Sequence, residues 1–274
     1  MPELPEVEII RRYLDEQLPG RTIACVDILL ARQLKHPASE AFQSLVAGKR
    51  MAGVRRRGKY LLLDLKDGST IVFHLRMTGS LVYDASGRQR DAYARMVFRL
   101  ADGGALVFAD IRTFGCVYGF AAGEEIAVSG LQSLGPEPLS DDFTSSYLAT
   151  AIKGRKQPVK SFLLDQRRIA GLGNIYADEA LFLARIDPRR AAGSLSAAEC
   201  RRLAEAVRKV LREGIADGGT TFRDYRNGAG ESGHHQEHLY VYHREGKPCP
   251  VCGRPVEKTT VGGRGTHFCP CCQR

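Results

Sequence analysis

The sequence predicts an α+β protein with a β-rich N-terminal half, a helical region and a short metal-binding hairpin at the end. Three observations predict this order. Two Asp-Gly turns each join apolar strands within residues 51–120, helical spacing dominates after residue 139, and five of the eight cysteines lie in the last 26 residues. Several short strands joined by such hairpins favour an antiparallel sandwich or barrel.

The first predicted element is a helix that begins directly behind the chain start, MPELPEVE. Apolar residues then recur at helical spacing, and Pro19-Gly20 ends the pattern. The residues of this apolar face are Val7, Ile10, Leu14 and Leu18. The helix is therefore expected to hold the start of the chain rigidly.

The chain start also has the chemistry of a nucleophile. Removal of Met1 would leave Pro2 with a secondary amine, which can attack an aldehydic carbon and form an iminium. Glu3 and Glu6 are nearby candidate proton donors. Pro and Glu are also common in the first turn of a helix. These residues alone favour that structural interpretation, and the rest of the chain reverses it.

Strand patterns fill most of the N-terminal half after this helix. Residues 21–30 read as a first strand, and the polar stretch 80–93 as a loop. The two predicted hairpins are 60–65 with 70–75 around Asp67-Gly68, and 96–100 with 105–109 around Asp102-Gly103.

The second half reads as helical behind the interrupted stretch LGPEPL at 134–139, which is typical of a linker. Helices are predicted at 147–152, 159–164, 175–183 and 203–215. Asn174 suits a helix N-cap behind the Gly171 and Gly173 turn, where a phosphate could approach closely. The same turn could be a simple joint between helices, but the local charge favours DNA contact.

The charge balance predicts a polyanionic partner. Lys and Arg number 40 against 31 Asp and Glu, a net charge of +9. Residues 151–190 alone hold nine basic against four acidic residues. Nucleic acid is favoured over membrane as the partner. Because the sequence has neither an apolar run of spanning length nor a leader, the protein is expected in the cytoplasm.

The cysteines at the end of the chain predict a structural zinc ion. Cys249-Pro-Val-Cys252 and Cys269-Pro-Cys-Cys272 are two knuckles separated by sixteen residues, a spacing that suits four thiolates on a hairpin. A redox Cys-x-x-Cys pair is the alternative, which two knuckles disfavour. Cys271 is expected to stay free, and Arg264 to lie at the hairpin tip.

Taken together, these segments resemble the bacterial formamidopyrimidine-DNA glycosylases over essentially the whole length. The resemblance is carried by MPELPEVE, RGKYLL, HLRMTGSL, DIRTFG, LGPEPL, LLDQRRIAGLGNIYADE and the zinc finger. It implies an N-terminal antiparallel β-sandwich flanked by helices, with DNA bound across the cleft to a C-terminal helix–two-turns–helix domain. It also implies four segments: a catalytic domain 1–133, a linker 134–150, the helical domain 151–238 and the zinc finger 239–274.

The resemblance further implies a base-excision repair enzyme, both glycosylase and AP lyase, for oxidised purines in damaged double-stranded DNA. Pro2 would be the Schiff-base nucleophile and Glu3 the proton donor, with Glu6 in support. Lys59 would serve β-elimination and Arg264 δ-elimination. The enzyme would carry one structural Zn²⁺ and act as a monomer in the bacterial cytoplasm, associated with the nucleoid.

The resemblance also implies two sets of DNA contacts. Met77, Arg112 and Phe114 would fill the gap left by the flipped nucleotide, and the loop from Thr220 to Tyr225 would close over the flipped purine. The residues expected to bind DNA elsewhere are His74, Tyr93, Arg155, Lys156, Lys160, Asn174 and Tyr225. Tyr93 stands where several relatives have a histidine, which leaves its role open.

Two other functions compete with this one. A glycosylase for pyrimidine lesions could use the same amine, and a non-catalytic zinc-ribbon DNA-binding protein would use Pro2 and Glu3 only to begin a helix. Borohydride trapping on lesion-containing DNA separates an enzyme from a binder. Comparing oxidised purines with oxidised pyrimidines separates the two enzymes.

Overall fold

The computed structural model describes residues 1–88, 91–124, 126–128 and 130–274. The chain forms two compact units. The first comprises residues 1–132 and 217–234, and the second comprises 133–216 and 235–274. Residues 217–234, which the sequence division assigned to the helical domain, thus make their contacts within the first unit. The predicted four-segment division stays a prediction.

The first unit is a sandwich of two sheets with two helices, α1 (Leu4–Gln17) and α2 (Ser39–Val46). The sheets order β1-β7-β8-β6 and β2-β9-β5-β4-β3. The strands are β1 Ile23–Ile28, β2 Leu34–His36, β3 Met51–Arg57, β4 Tyr60–Leu65, β5 Thr70–His74, β6 Gly79–Asp84, β7 Ala94–Leu100, β8 Ala105–Asp110 and β9 Cys116–Phe120.

One large apolar core holds this unit together. The buried face of α1 packs with side chains from both sheets, and Phe73, Phe98 and Phe108 meet edge-on or tilted. Such ring pairs add to the stability that apolar burial supplies. The core fixes the start of α1, and with it the chain start, against the sandwich.

The second unit contains four helices and a terminal hairpin. The helices are α3 Ser145–Ile152, α4 Val159–Leu164, α5 Asn174–Ala184 and α6 Ala197–Ala216. The hairpin strands are β10 Glu257–Val261 and β11 Arg264–Phe268, joined by Gly262-Gly263. Both glycines have positive φ, 56° and 75°, which a tight turn of this kind requires. The hairpin is the scaffold between the two cysteine knuckles.

The structure confirms the α+β fold and both Asp-Gly hairpins, β4–β5 and β7–β8. One expectation was wrong. The predicted loop 80–93 begins with a strand, because β6 alternates buried and partly exposed side chains as it pairs with β8; residues 89 and 90 lie outside the described residues. The sandwich is antiparallel as expected, apart from the short strand β2, which pairs with β9 in parallel.

Within the part of the chain that the structure describes, no helix is both long enough and apolar enough to span a membrane.

Candidate functional site

The chain start is buried in the first unit. Pro2 and the side chains of Glu3 and Glu6 are covered, with Glu3 only 2% and Glu6 only 1% exposed. Glu3 is the N-cap residue of α1, and the Glu6 carboxylate accepts the backbone N–H of Glu3 at 2.8 Å. A carboxylate at this end of a helix is favoured by the helix dipole. The backbone beside Pro2 is therefore held in one position.

Glu6 also connects the chain start to residues 217–234. Its second carboxylate oxygen accepts the N–H of Thr220 at 2.8 Å, and the Tyr225 hydroxyl donates to the Glu6 carbonyl at 3.4 Å. Gly219 has φ of +85°, and a Cβ there would lie 2.9 Å from the Tyr225 ring and 3.2 Å from Glu6 Cγ. Glycine is thus required where this segment passes the chain start.

Lys59 lies in the turn between β3 and β4, directly behind Gly58, whose φ is +55°. Its side chain is largely buried. Arg56 steadies this turn: its guanidinium donates to the Gly58 carbonyl at 3.0 Å and to the Glu8 carboxylate at 2.9 Å. Glu8 is on α1, so the hairpin carrying Lys59 is tied to the helix behind Pro2. Several arginines around Glu8 outweigh the effect of burial and hold the pKa of its carboxyl below the ordinary value.

The three residues expected to fill a gap in DNA lie on two loops, 75–79 and 110–115, which we call the wedge loops. Met77 and Arg112 are exposed, and Phe114 is 52% exposed, with its ring 4.8 Å from the Arg112 guanidinium. Each loop contains one non-glycine residue with positive φ, Arg76 at 55° and Thr113 at 57°. Such conformations are sparsely populated and persist where the surroundings enforce them.

His74 and Tyr93 differ in their accessibility. His74 is buried edge-on against the Tyr60 ring, and its Nδ1 accepts the Arg76 N–H at 3.0 Å. That bond leaves the proton of the neutral ring on Nε2. Burial, followed by the charges of Arg76 and Lys59, lowers the pKa of His74 to about 3. Tyr93 is exposed, so its hydroxyl is accessible for a phosphate contact.

The second unit brings together the four predicted zinc ligands, Cys249, Cys252, Cys269 and Cys272. Their sulfur atoms all lie within 4.8 Å of one another, with 3.9 Å between Cys249 and Cys272 and 3.5 Å between Cys252 and Cys269. Zn–S bonds of about 2.3 Å in a tetrahedron place sulfurs about 3.8 Å apart. The donor set therefore fits one structural Zn²⁺, as predicted, and the Cys271 thiol stays outside it.

Two acidic residues on α5 fasten the region around this hairpin, and sequence reasoning missed both. The Glu179 carboxylate accepts three backbone N–H groups, from Tyr240, Val241 and Tyr242, at 2.7–2.9 Å. The Asp178 carboxylate accepts the N–H of His267 on β11 at 2.9 Å. Adjacent acids within an otherwise apolar helix were the available signal, because a buried carboxylate requires partners.

The exposed guanidinium of Arg264 follows the hairpin turn, as predicted. A close approach to α4 and a hydrogen bond from α5 fix the backbone on either side of Arg264. A Cβ on Gly262 would lie 2.4 Å from the Ser161 hydroxyl on α4, and Asn174 donates its amide to the Gly265 carbonyl at 3.0 Å. Gly173, and not Asn174, is the N-cap of α5, so the predicted capping role of Asn174 was wrong. The Asn174 side chain is used on the hairpin instead.

The structure contradicts one of the predicted DNA contacts, that of Lys160. Lys160 is 0% exposed; its ammonium lies 2.6 Å from the Asp178 carboxylate and donates to the Gly265 carbonyl at 2.9 Å. Burial and this ion pair leave no surface for a phosphate. Tyr225 packs into the apolar core of the first unit and is 8% exposed, as is His74, so its contact with DNA stays a prediction. Arg155 and Lys156, by contrast, are exposed between α3 and α4.

Family comparisons agree with this arrangement segment by segment. Residues 1–117 match the formamidopyrimidine-DNA glycosylase N-terminal domain, 134–226 match the H2TH domain of these glycosylases, and 246–274 match the zinc finger found in FPG and IleRS. The chain is thus a DNA glycosylase that combines a β-sandwich, a helix–two-turns–helix region and a zinc finger.

Individual relatives cover the whole chain. The formamidopyrimidine-DNA glycosylase of Pelotomaculum thermopropionicum is 47% identical over 100% of this chain and 99% of its own. The MutM (Fpg) protein of Thermus thermophilus superposes with a TM-score of 0.89 at 44% identity, covering 99% of this chain and 98% of its own. Lactococcus lactis Fpg bound to DNA with an abasic site gives 0.92 at 34% identity, covering 99% of each chain. The protein belongs to the formamidopyrimidine-DNA glycosylase family, which confirms the resemblance seen in its sequence.

Proposed function

We propose that this base-excision repair glycosylase removes oxidised purines, namely formamidopyrimidines and 8-oxoguanine, from duplex DNA through a Schiff base on Pro2. The observation that carries the proposal is the buried chain start, where Pro2 adjoins two covered carboxyl groups and a helix fixed by Glu6. A Lactococcus lactis Fpg complex with DNA containing Fapy-dG is among the similar solved structures, which supports this lesion class.

The proposed reaction begins when the Pro2 amine, freed by removal of Met1, attacks C1′ of the lesion nucleotide. The bond from C1′ to the base breaks, and the base leaves with a proton. Glu3 then protonates O4′ as the C1′–O4′ bond opens, which leaves the proline nitrogen and C1′ joined as an iminium. This cation is the electron sink for the following eliminations.

Two eliminations would complete strand cleavage. Loss of a C2′ proton sends electrons toward the iminium and expels the 3′ phosphate in β-elimination, for which we propose Lys59. A second elimination expels the 5′ phosphate, for which we propose Arg264. Lys59 is supported by its turn, which Arg56 and Glu8 hold to α1. Arg264 is supported by its exposed place at the hairpin tip.

We propose that DNA is bound first by the exposed residues of the predicted set and also by two less exposed ones. Arg155, Lys156 and Tyr93 are exposed and suit phosphate contacts, and we retain His74 through its Nε2–H and Asn174 beside the hairpin. The wedge residues Met77, Arg112 and Phe114 would fill the gap, since extruding a nucleotide costs roughly a few kcal/mol that such stacking offsets. We further propose that the enzyme works as a monomer on the nucleoid in the cytoplasm, where its substrate is found.

A second candidate is excision of oxidised pyrimidines by the same amine. It is favoured by one comparison, a Lactococcus lactis Fpg complex with DNA that contains an oxidised pyrimidine, with a TM-score of 0.91 and 33% identity. The catalytic groups would be unchanged. The two candidates differ in the lesion that the segment 217–234 accepts.

Borohydride trapping across a panel of lesion duplexes tests both candidates. Oxidised purines should crosslink to the protein and be excised faster than oxidised pyrimidines, and undamaged DNA should give no crosslink. Faster excision of pyrimidine lesions would favour the second candidate. Binding with no crosslink on any lesion would contradict the covalent mechanism.

A further inference from the structure

We propose that Asp110 and Thr78 are positioning residues that join the two wedge loops into one rigid unit, so that the wedge enters DNA as a whole. The inference rests on the proposed gap-filling role of Met77, Arg112 and Phe114. Asp110 and Thr78 would touch neither the lesion nor the reacting atoms. They would act through the loops that carry the wedge residues.

Asp110 is a fully buried carboxylate at the end of β8. Its Oδ1 accepts the Thr78 hydroxyl at 2.6 Å, and its Oδ2 accepts the Gly115 N–H at 2.7 Å and the Gln33 amide at 2.8 Å. These donors belong to three separate parts of the first unit: one wedge loop, the end of the other, and the turn before β2. A buried carboxylate with three such donors has its polar needs met and holds all three segments.

Thr78 connects the two wedge loops through one hydroxyl, which makes a hydrogen bond in each direction. Its hydroxyl donates its single proton to Asp110 and accepts the Arg112 N–H at 3.0 Å. A hydroxyl offers one donor and two acceptor lone pairs, so this pair of bonds uses the donor in a defined direction. The backbone of Arg112 is thereby tied to the loop that carries Met77. Valine, which has the same shape, could make neither bond.

The loops have little freedom to move apart. A Cβ on Gly79 would lie 2.4 Å from the Leu75 carbonyl, and one on Gly115 would lie 2.7 Å from the Phe108 ring. The positive φ angles of Arg76 and Thr113 are sparsely populated for such residues and persist where surrounding contacts hold them. Thr78 follows Arg76 by two residues and Asp110 precedes Thr113 by three, so the bond between Thr78 and Asp110 lies close along the chain to both.

Rigid coupling matters only where a gap must be filled. In a duplex, the extruded nucleotide leaves a void and an unpaired opposite base, and residues from both loops must enter together. A single-stranded lesion presents neither void nor opposite base. Loosening the coupling should therefore slow excision from duplex DNA and leave reaction with a single strand unchanged. A general loss of folding would lower both rates.

The test compares four variants on an oxidised-purine duplex and on a single-stranded abasic site, under single-turnover trapping conditions. Thr78→Val removes both bonds, and Thr78→Ser restores the hydroxyl. Ser80→Ala is the matched control, because that hydroxyl donates to the Ala109 carbonyl at 3.5 Å and takes no part in the hydrogen bonds of Thr78 and Asp110. Phe114→Ala reports on gap filling itself. The fluorescence of 2-aminopurine opposite the lesion measures how well the void is filled.

Thr78→Val should lower the duplex rate about tenfold, as expected for losing one or two buried hydrogen bonds. Its single-strand rate should stay within about twofold of the parent, and its 2-aminopurine signal should shift as in Phe114→Ala. Thr78→Ser and Ser80→Ala should match the parent protein. Thr78→Ala carries the same expectation as Thr78→Val if the latter does not fold.

Two results would overturn the inference: a duplex rate for Thr78→Val equal to that of the parent, or equal losses on duplex and single strand. If Phe114→Ala also leaves the duplex rate unchanged, the gap-filling proposal itself fails. If Phe114→Ala slows the duplex reaction and Thr78→Val does not, gap filling stands and the coupling is wrong.

Discussion

The two units fix their functional ends in different ways. In the first unit, the chain start rests on a large apolar core that includes the buried face of α1, and Glu6 adds two hydrogen bonds to backbone N–H groups. In the second unit, the cysteine knuckles that flank the hairpin pack in a small apolar cluster, where they stand beside Phe182, Val241 and Val256. Four thiolates, Asp178, Glu179 and Lys160 take over much of the anchoring there.

The difference follows from the size of the two cores. A short hairpin cannot bury enough apolar surface to offset its lost conformational entropy, so it depends on metal and polar anchors. A sandwich can bury enough apolar surface, and its Glu6 carboxylate then adds hydrogen bonds to backbone N–H groups at the chain start. The chemistry proposed at Pro2 should therefore depend on local polar contacts, whereas the hairpin should depend on its zinc for folding.

The largest expected effect concerns Pro2. Extending the chain ahead of Pro2, or retaining Met1, converts the amine to an amide and should reduce borohydride trapping to background. Pro2→Gly should slow trapping, because a primary amine substitutes only in part. Peptide mapping should place the crosslink on the N-terminal peptide.

The matched control for this experiment is Pro5→Ala, which changes the other proline of the segment and should leave trapping intact. A crosslink mapped to Lys59 with Pro2 unmodified would show that a different amine is the nucleophile. The glycosylase function would survive that result.

Removing zinc should have the next largest effect and should be confined to the second unit. Cys252→Ser, or chelation shown to strip the metal, should unfold the hairpin and abolish DNA binding because Arg264 loses its position. Hydrogen exchange should accelerate at β10 and β11 and stay slow in α1. Cys271→Ser is the matched control and should keep one zinc per chain by elemental analysis. Full DNA binding by metal-free protein would contradict this expectation.

Substitutions of Lys160 and Lys156 should distinguish a lysine that anchors the fold from one that contacts DNA. Lys160→Met leaves Asp178 buried without its ammonium partner and should destabilise the protein by about 3–5 kcal/mol in chemical denaturation. Lys156→Ala should leave stability unchanged and reduce the salt slope of DNA binding by about one unit. If Lys160→Met instead kept its stability and reduced the salt slope of DNA binding, Lys160 would be a phosphate contact after all.

Near neutral pH the smallest expected effect is that of His74, which acts through a pH dependence of the first unit's stability at acidic pH. Its pKa is about 3 in the folded protein against an ordinary 6.5, so its stabilisation is complete above pH 6.5 and is lost as the pH falls toward 3. The free energy of unfolding should fall by up to about 1.4 kcal/mol per pH unit in that window. His74→Gln should flatten this slope. An unchanged slope in His74→Gln would contradict the assignment.

The features that could be predicted from the sequence are those set by neighbouring residues. Asp67-Gly68 and Asp102-Gly103 define their hairpins locally, and the cysteine spacing defines the metal site. The motifs shared with the family then indicated roles for the chain start and for the wedge residues. The turn signals lie within a few residues of the structure they predict, and the metal site is marked by two short knuckles with a typical spacing.

The predictions that failed depend on partners distant in the chain. Lys160 was read as a phosphate ligand because a basic stretch surrounds it, yet its ion pair is with Asp178, eighteen residues onward, and its helix buries Val159, Phe162 and Leu163 around it. A cation among apolar neighbours was the signal for burial. Asp110 meets Gln33 across 77 residues and Thr78 across 32, a convergence that no local pattern contains.

The return of residues 217–234 to the first unit limits how the gene for such a chain can be truncated or recombined. The chain leaves that unit after residue 132 and comes back for eighteen residues, bringing Thr220 to the Glu6 carboxylate and Tyr225 into the sandwich core. A gene fragment that stops at residue 132 would encode a sandwich lacking a core side chain and a hydrogen-bond donor for a buried acid. Neither unit is a contiguous cassette, so recombination could not exchange one without splitting the other.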